Sequence, residues 1–262
     1  MNRREFILLT SGILLTGCDD AGPFSSPPIL RFAVASDGHY GEPNTPSGHN
    51  YATLVSAIND FHRKNHLDFC LINGDIVHDN QAFFIPARAY LERLQMRYLV
   101  SKGNHDKVTE DEWRSIWGLP ANFAFTLDQH AFLILTTSNE QGAWLCPDLG
   151  WLQQTLYTHR NKKNIFIFMH INPAAQAKFA VDCQQIMAVL AEYPRIRAVF
   201  NGHDHDQDNV LVKNNIPFIF DGHFGGSWGT QYHGFRIVEI RADNTLLSYM
   251  MNPQMKINQF QL

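Results

Sequence analysis

Aspartate, asparagine and histidine recur in this chain at one end of short apolar runs. Arg31–Ala35 leads into Asp37-Gly38-His39, and Phe69–Ile72 into Gly74-Asp75. Tyr98–Val100 leads into Gly103-Asn104-His105-Asp106, Ile165–Phe168 into His170, and Ala198–Phe200 into Gly202-His203-Asp204-His205. Imidazole nitrogens mixed with carboxylate and amide oxygens suit Mn, Fe, Zn, Co or Ni better than the all-oxygen cage of calcium. Seven side chains qualify as metal ligands: Asp37, His39, Asp75, Asn104, His170, His203 and His205. Seven are too many for one tetrahedral ion and suit two divalent ions sharing a carboxylate. Asp75, with two oxygens, is the candidate bridge. Asp37 and His39 can reach one ion from a strand-to-loop turn, and His203 and His205 can serve different ions. Singly, each residue has a plainer reading as a turn or packing residue. The ordered repetition at five run ends points to one metal-centred active site.

The runs themselves are short and rich in β-branched and aromatic residues, which reads as buried strands. Ligands in open α/β sheets bind at the carboxyl ends of strands. Helical spacing appears over Tyr51–Asn65 and Ala82–Leu94, and a capping box at Thr109–Glu112 should start a helix through Trp117. Phe123–Leu127 and Ala131–Thr136 read as a hairpin around Asp128-Gln129-His130. Asp148 can cap a helix carrying Leu149, Leu152 and Leu156, and Val181–Glu192 reads as a further helix. Strands are expected at Val210–Lys213, Pro217–Asp221, Phe235–Ile240 and Leu246–Met250. Alternating strands and helices followed by several strands imply an α/β fold with two sheets packed face to face and helices outside.

The 262 residues are 45% hydrophobic, enough for a sizeable core, and show neither an internal repeat nor a second linker. The formal net charge of -4 gives no general attraction to nucleic acid, and no nucleic-acid partner is expected. Of the 13 histidines, His62, His66, His130 and His159 lie outside any motif. His49, His78, Asp79, His223 and His233 lie near motifs or in Gly-rich loops and could face substrate or support a ligand.

The amino terminus reads as an address. Arg3-Arg4 precede an apolar stretch, Phe6–Leu15, too short to span a bilayer. Leu15-Thr16-Gly17-Cys18 resembles a lipoprotein cleavage box, and the paired arginines resemble a twin-arginine signal. The organisation is then a signal peptide over 1–17, a lipid anchor at Cys18, a Gly/Ser/Pro linker over 18–28 and one domain over 29–262. Asp19 and Asp20 resemble a retention signal for the periplasmic face of the inner membrane. Of the remaining cysteines, Cys70 reads as a core residue, and no disulfide is assigned to Cys146 or Cys183.

The motifs D-x-H, G-D, G-N-H-D, H and G-H-x-H, in that order from Leu30 to Met250, resemble the calcineurin-like metallophosphoesterase superfamily. The resemblance implies a four-layer α/β/β/α sandwich with a dinuclear site at strand carboxyl ends. It implies that Asp37, His39, Asp75 and His205 hold one metal, and Asp75, Asn104, His170 and His203 the other. It further implies a bridging hydroxide that attacks phosphorus, with His105 at the leaving group and Asp106 orienting His105 or a ligand. His78 stands where purple acid phosphatases carry a metal-bound tyrosine, so no purple charge-transfer band is expected. The expected activity is hydrolysis of a small-molecule phosphate ester, with a diester, such as a nucleotide-type one, slightly favoured. A phosphomonoesterase of the same fold is the alternative. An inactive metal-binding scaffold would lack ligands that are present here, and a nuclease would need a basic groove. Phe83, Trp144 and Trp228 could stack a base.

Overall fold

In the computed structural model, which describes residues 27–252 and 255–262, the five ligand-bearing runs are strands. These are β1 (Leu30–Ala35), β2 (Phe69–Asn73), β3 (Tyr98–Ser101), β6 (Asn164–Met169) and β7 (Ile196–Asn201). The remaining strands are β4 (Phe123–Leu127), β5 (His130–Leu135), β8 (Val210–Lys213), β9 (Ile216–Phe220), β10 (Phe235–Ile240), β11 (Leu246–Asn252) and β12 (Met255–Gln261). The helices are α1 (Ser47–Lys64), α2 (Phe84–Leu91), α3 (Glu110–Trp117), α4 (Leu149–His159) and α5 (Gln184–Ala191). The proposed leader, the Cys18 anchor and all but the last two residues of the 18–28 linker lie outside the described residues. No helix among the described residues is long and apolar enough to cross a membrane.

The strands form two six-stranded mixed sheets, ordered β12-β11-β10-β1-β2-β3 and β4-β5-β6-β7-β9-β8. Strand alternation explains why they stack. Phe32 and Val34 of β1 point into the space between the sheets, against Phe132, Phe166, Phe168 and Phe200 of the second sheet. Ala33 and Ala35 point the other way, into a core shared with α1, α2 and α3. The outer face of the second sheet is covered by α4 and α5. Phe32 lies flat on Phe69 at 4.9 Å and edge-on to four other phenylalanines. The result is the expected α/β/β/α sandwich.

The helix signals act as read. Thr109 and Glu112 close a reciprocal capping box, and Asp148 accepts the N–H of Trp151 at 2.9 Å. Three readings need correction. The helix expected from Val181 starts only at Gln184, because Asp182 bridges Ala174 in extended conformation and Cys183 is pinned. The pin is a disulfide, Cys146–Cys183, that the spacing did not reveal. The edge strand β12 was not read, because a register shift between Ser248 and Met250 breaks its two-residue period. Cys70 is buried as expected, and burial pushes its thiol up to about 12.

Candidate metal centre

β1, β2 and β3 run parallel in one sheet, and β5, β6, β7 and β9 run parallel in the other. Their carboxyl ends share one edge of the sandwich. The first sheet brings Asp37, His39, Asp75 and Asn104 there, and the second brings His170, His203 and His205. Hydrogen bonds join the two sets across the sheets. The His203 N–H donates to Asp37 Oδ2 at 3.0 Å, and His170 Nδ1 donates to the Asn73 carbonyl at 2.7 Å. Asp37, His39, Asp75 and His203 all hold positive φ, between 42° and 67°. Such backbone costs roughly 1–3 kcal/mol per residue and clusters at functional sites. Two glycines permit the crowding. At Gly74, with φ +86°, a Cβ would overlap the His170 ring; at Gly202 it would overlap Ser36 and Asp37.

Two groups of donor atoms result. Asp37, His39 and His205 form one, and Asp75, His170 and His203 the other, each with its ligand atoms within 4.8 Å of one another. His205 Nε2 lies 3.1 Å from Asp37 Oδ1 and 3.0 Å from His39 Nε2. Asp75 Oδ2 lies 3.1 Å from His170 Nε2 and 3.5 Å from His39 Nε2, so it faces both groups. Ligands held about 2.0–2.2 Å from one ion are spaced roughly 3–3.5 Å apart. Asp37 Oδ1, Asp75 Oδ2, Asn104 Oδ1, His170 Nε2 and His203 Nε2 are buried without a hydrogen-bond partner. Buried polar atoms are rarely left this way, and five of them among seven candidate ligands fit a cation site.

The electrostatics agree. Burial alone would raise Asp37 and Asp75, yet His205 and His170 beside the first, and His170 beside the second, hold both well below the usual carboxylate range. Burial works against charge on His170, but Asp75 and Asp37 lift it to about 10. Burial pushes His203 down to about 4, leaving an uncharged ring with a lone pair. Without a cation, protons on imidazoles balance the buried carboxylates; a cation would take over that balance.

Supporting contacts fix the rings of the candidate ligands. His205 Nδ1 donates to the Trp228 carbonyl at 3.1 Å, which leaves Nε2 for the centre. The same ring stacks on the Trp228 ring at 4.2 Å and on His223 at 5.3 Å. His78 backs His39, Nδ1 to Nδ1 at 3.1 Å, and stacks on His105 at 4.9 Å. These two rings form a third possible group with His39, one without a carboxylate. The His105 N–H donates to Asp75 Oδ1 at 2.7 Å. Its ring Nδ1 lies 2.9 Å from Asp79 Oδ1, which also pairs with Lys107 at 2.8 Å.

Of the two roles expected of Asp106, orienting His105 or a ligand, its contacts fit the second. It accepts the backbone N–H groups of Val77 and Gly103, each at 3.0 Å, and so holds the loops that carry Asp75 and Asn104. The partner of His105 is Asp79, whose role the sequence left open. Trp228 and His223 were missed as supports, because nothing in their Gly-rich loop marks a ring stack on His205. Phe83 packs on Tyr40, away from the two donor groups. His49 and His233 line a separate cavity of about 330 Å³, with His233 edge-on to His223.

A sandwich with Asp and His ligands gathered from strand ends is the architecture of a metal-dependent phosphoesterase. The family model "Calcineurin-like phosphoesterase" matches residues 30–207, and the chain belongs to this family. It is 28% identical over 226 residues to the mouse serine/threonine-protein phosphatase CPPED1, covering 74% of this chain and 70% of the relative. It is 25% identical over 205 residues to the 3',5'-cyclic-nucleotide phosphodiesterase alr5338 of Nostoc, covering 68% and 74%. A dimetal phosphatase from Danio rerio has the same fold, with a TM-score of 0.70 at 13% identity over 89% of this chain and 98% of that one. The yellow lupin purple acid phosphatase PPD1 also shares it, with a TM-score of 0.67 at 13% identity over 90% and 54%.

Proposed function

We propose that this chain hydrolyses small phosphate esters with two divalent cations, one held by Asp37, His39, Asp75 and His205 and the other by Asp75, Asn104, His170 and His203. The observation that carries this reading is the set of five orphaned donor atoms buried among those seven side chains. Divalent cations, when bound, polarise phosphoryl oxygens and make water acidic enough to attack near neutral pH. The protein's part is to hold the ligands rigidly and to move a proton. With Nδ1 facing Asp79, His105 keeps Nε2 for the leaving oxygen. Asp79 fixes the ring, and Lys107 keeps Asp79 ionised: burial raises that carboxyl, but its bonds to Lys107 and His105 lower it overall. Asp106 and the His105 N–H hold the loops around Asp75.

A diester substrate is favoured, which the name of the Nostoc relative supports. The name of the mouse relative supports the phosphatase alternative. We propose further that the protein is exported and tethered at Cys18. The Cys146–Cys183 disulfide supports an oxidising compartment, in line with the lipoprotein-like start of the sequence.

The test is metal-reconstituted protein assayed on a chromogenic phosphodiester and the matching monoester, beside His105→Ala. Metal-dependent turnover that falls about 10²–10⁴-fold in His105→Ala is expected. No turnover of either ester with full metal content would refute the hydrolase reading. For the anchor, Cys18→Ala should move the protein from the membrane to the soluble fraction; unchanged membrane association would refute it.

A further inference from the structure

We infer that Trp144, Phe179 and Trp228 form an aromatic subsite for a planar ring on the phosphate ester, nucleobase or aryl, and that the Cys146–Cys183 disulfide positions it. The inference rests on the phosphoesterase reading for what lies at the metal end. The three rings come from three loops that leave the same edge of the second sheet, after β5, β6 and β9. Each ring touches a ligand imidazole. Trp144 meets His203 edge-on at 4.6 Å, Phe179 meets it at 6.0 Å, and Trp228 lies flat on His205 at 4.2 Å. Phe179 also links the two tryptophans, edge-on at 6.2 Å to Trp144 and 5.7 Å to Trp228. The rings therefore form one continuous wall beside the donor groups.

The wall is built and left open. Trp144 and Trp228 are each 43% exposed, whereas Trp113 is fully buried in the core. A tryptophan kept only for packing would bury more of its ring. Two of the three loops are narrowed at their base, by a Ser138–Trp144 bridge in one and an Ala174–Asp182 bridge in the other. The Phe179 N–H donates to Asp204 Oδ1 at 3.2 Å, which ties that ring to the turn carrying His203 and His205. The disulfide joins the two loops, with Cys146 two residues beyond Trp144 and Cys183 four beyond Phe179. A phosphoryl group among the imidazoles would place its ester substituent within one ring's width of this wall. Exposed indole and phenyl faces bind planar aromatic groups and are indifferent to small alkyl ones.

Binding of non-hydrolysable probes to metal-loaded protein tests this without turnover. Phenylphosphonate and the phosphonate analogue of adenosine monophosphate, with a methylene in place of the 5' ester oxygen, should bind at least about 10-fold more tightly than methylphosphonate, read by calorimetry and tryptophan fluorescence. Trp144→Ala should abolish most of that preference, and Trp144→Phe, which keeps a ring, should restore it. Reducing the disulfide in the wild-type protein should lower the preference several-fold. Tighter binding of the nucleotide than of phenylphosphonate would assign a nucleobase, and equal binding a single aryl ring. Equal affinity for phenylphosphonate and methylphosphonate, or a preference unchanged in Trp144→Ala, would overturn the subsite. Ring-selective binding without hydrolysis of any ester would sink the phosphoesterase reading and leave the subsite standing.

Discussion

At the scale of single residues, Asp75 and Asp79 carry the most. Asp75 Oδ2 faces both donor groups, whereas Asn104, whose Oδ1 is buried without a partner, is proposed as a ligand of one ion only. Asp75→Ala should therefore strip more metal than Asn104→Ala, measured as bound metal per chain after dialysis. Equal retention in the two variants would argue against a shared carboxylate. Asp79 lies outside the seven candidate ligands and holds His105 Nδ1 at 2.9 Å. Asp79→Asn should lower kcat about 10-fold or more with metal content unchanged, the usual size for losing a partner that orients an imidazole. A matching drop in metal content would reassign Asp79 as a support of the metal centre. The sequence made the seven ligand candidates legible because each stands at a strand end in a recognisable motif. It pointed to Asp106, the neighbour of His105 in the chain, whereas the folded loops bring Asp79, 26 residues away, to the ring.

Elements set how exactly those residues are held. The turn after β2 needs Gly74 twice over, for its φ of +86° and for the space that His170 fills. Gly74→Ala combines left-handed strain with overlap in a packed site, and should cost about 2 kcal/mol or more in unfolding free energy and weaken metal retention. Thr109 makes a useful contrast, since it caps α3 through the box with Glu112 and lies outside the centre. Thr109→Ala should cost about 1 kcal/mol, read from the denaturant midpoint, with turnover per folded molecule unchanged. Local signals of this kind were legible in the sequence because a cap is a local hydrogen-bond pattern. The start of α5 was not, because a disulfide to a loop 37 residues away decides it.

Across the whole molecule, the centre is divided between two sheets, so their mutual placement sets its geometry. Arg236 locks that placement. It sits fully buried on β10 of the first sheet and pairs with Asp221, just beyond β9 of the second, at 2.9 Å. Its guanidinium also donates to the Asp208 and Phe220 carbonyls and to Ser248. Breaking a buried pair from one side leaves an uncompensated charge and costs about 3–5 kcal/mol. Arg236→Leu should show a loss of that order in chemical denaturation, with weaker metal retention in the folded fraction. A loss under about 1 kcal/mol would mean that phenylalanine packing alone holds the sheets together.

The sequence by itself determined every strand but β12, the caps, the order of the motifs and the seven ligand candidates. Those features follow from side-chain period and from residues adjacent in the chain. The tertiary structure decided what depends on distant segments meeting. It paired His105 with Asp79, stacked Trp228 on His205, joined Cys146 to Cys183 and buried Arg236 between the sheets. Each of these contacts lies between residues remote in the chain, and the chain brings them together only when two sheets stack with their carboxyl edges aligned.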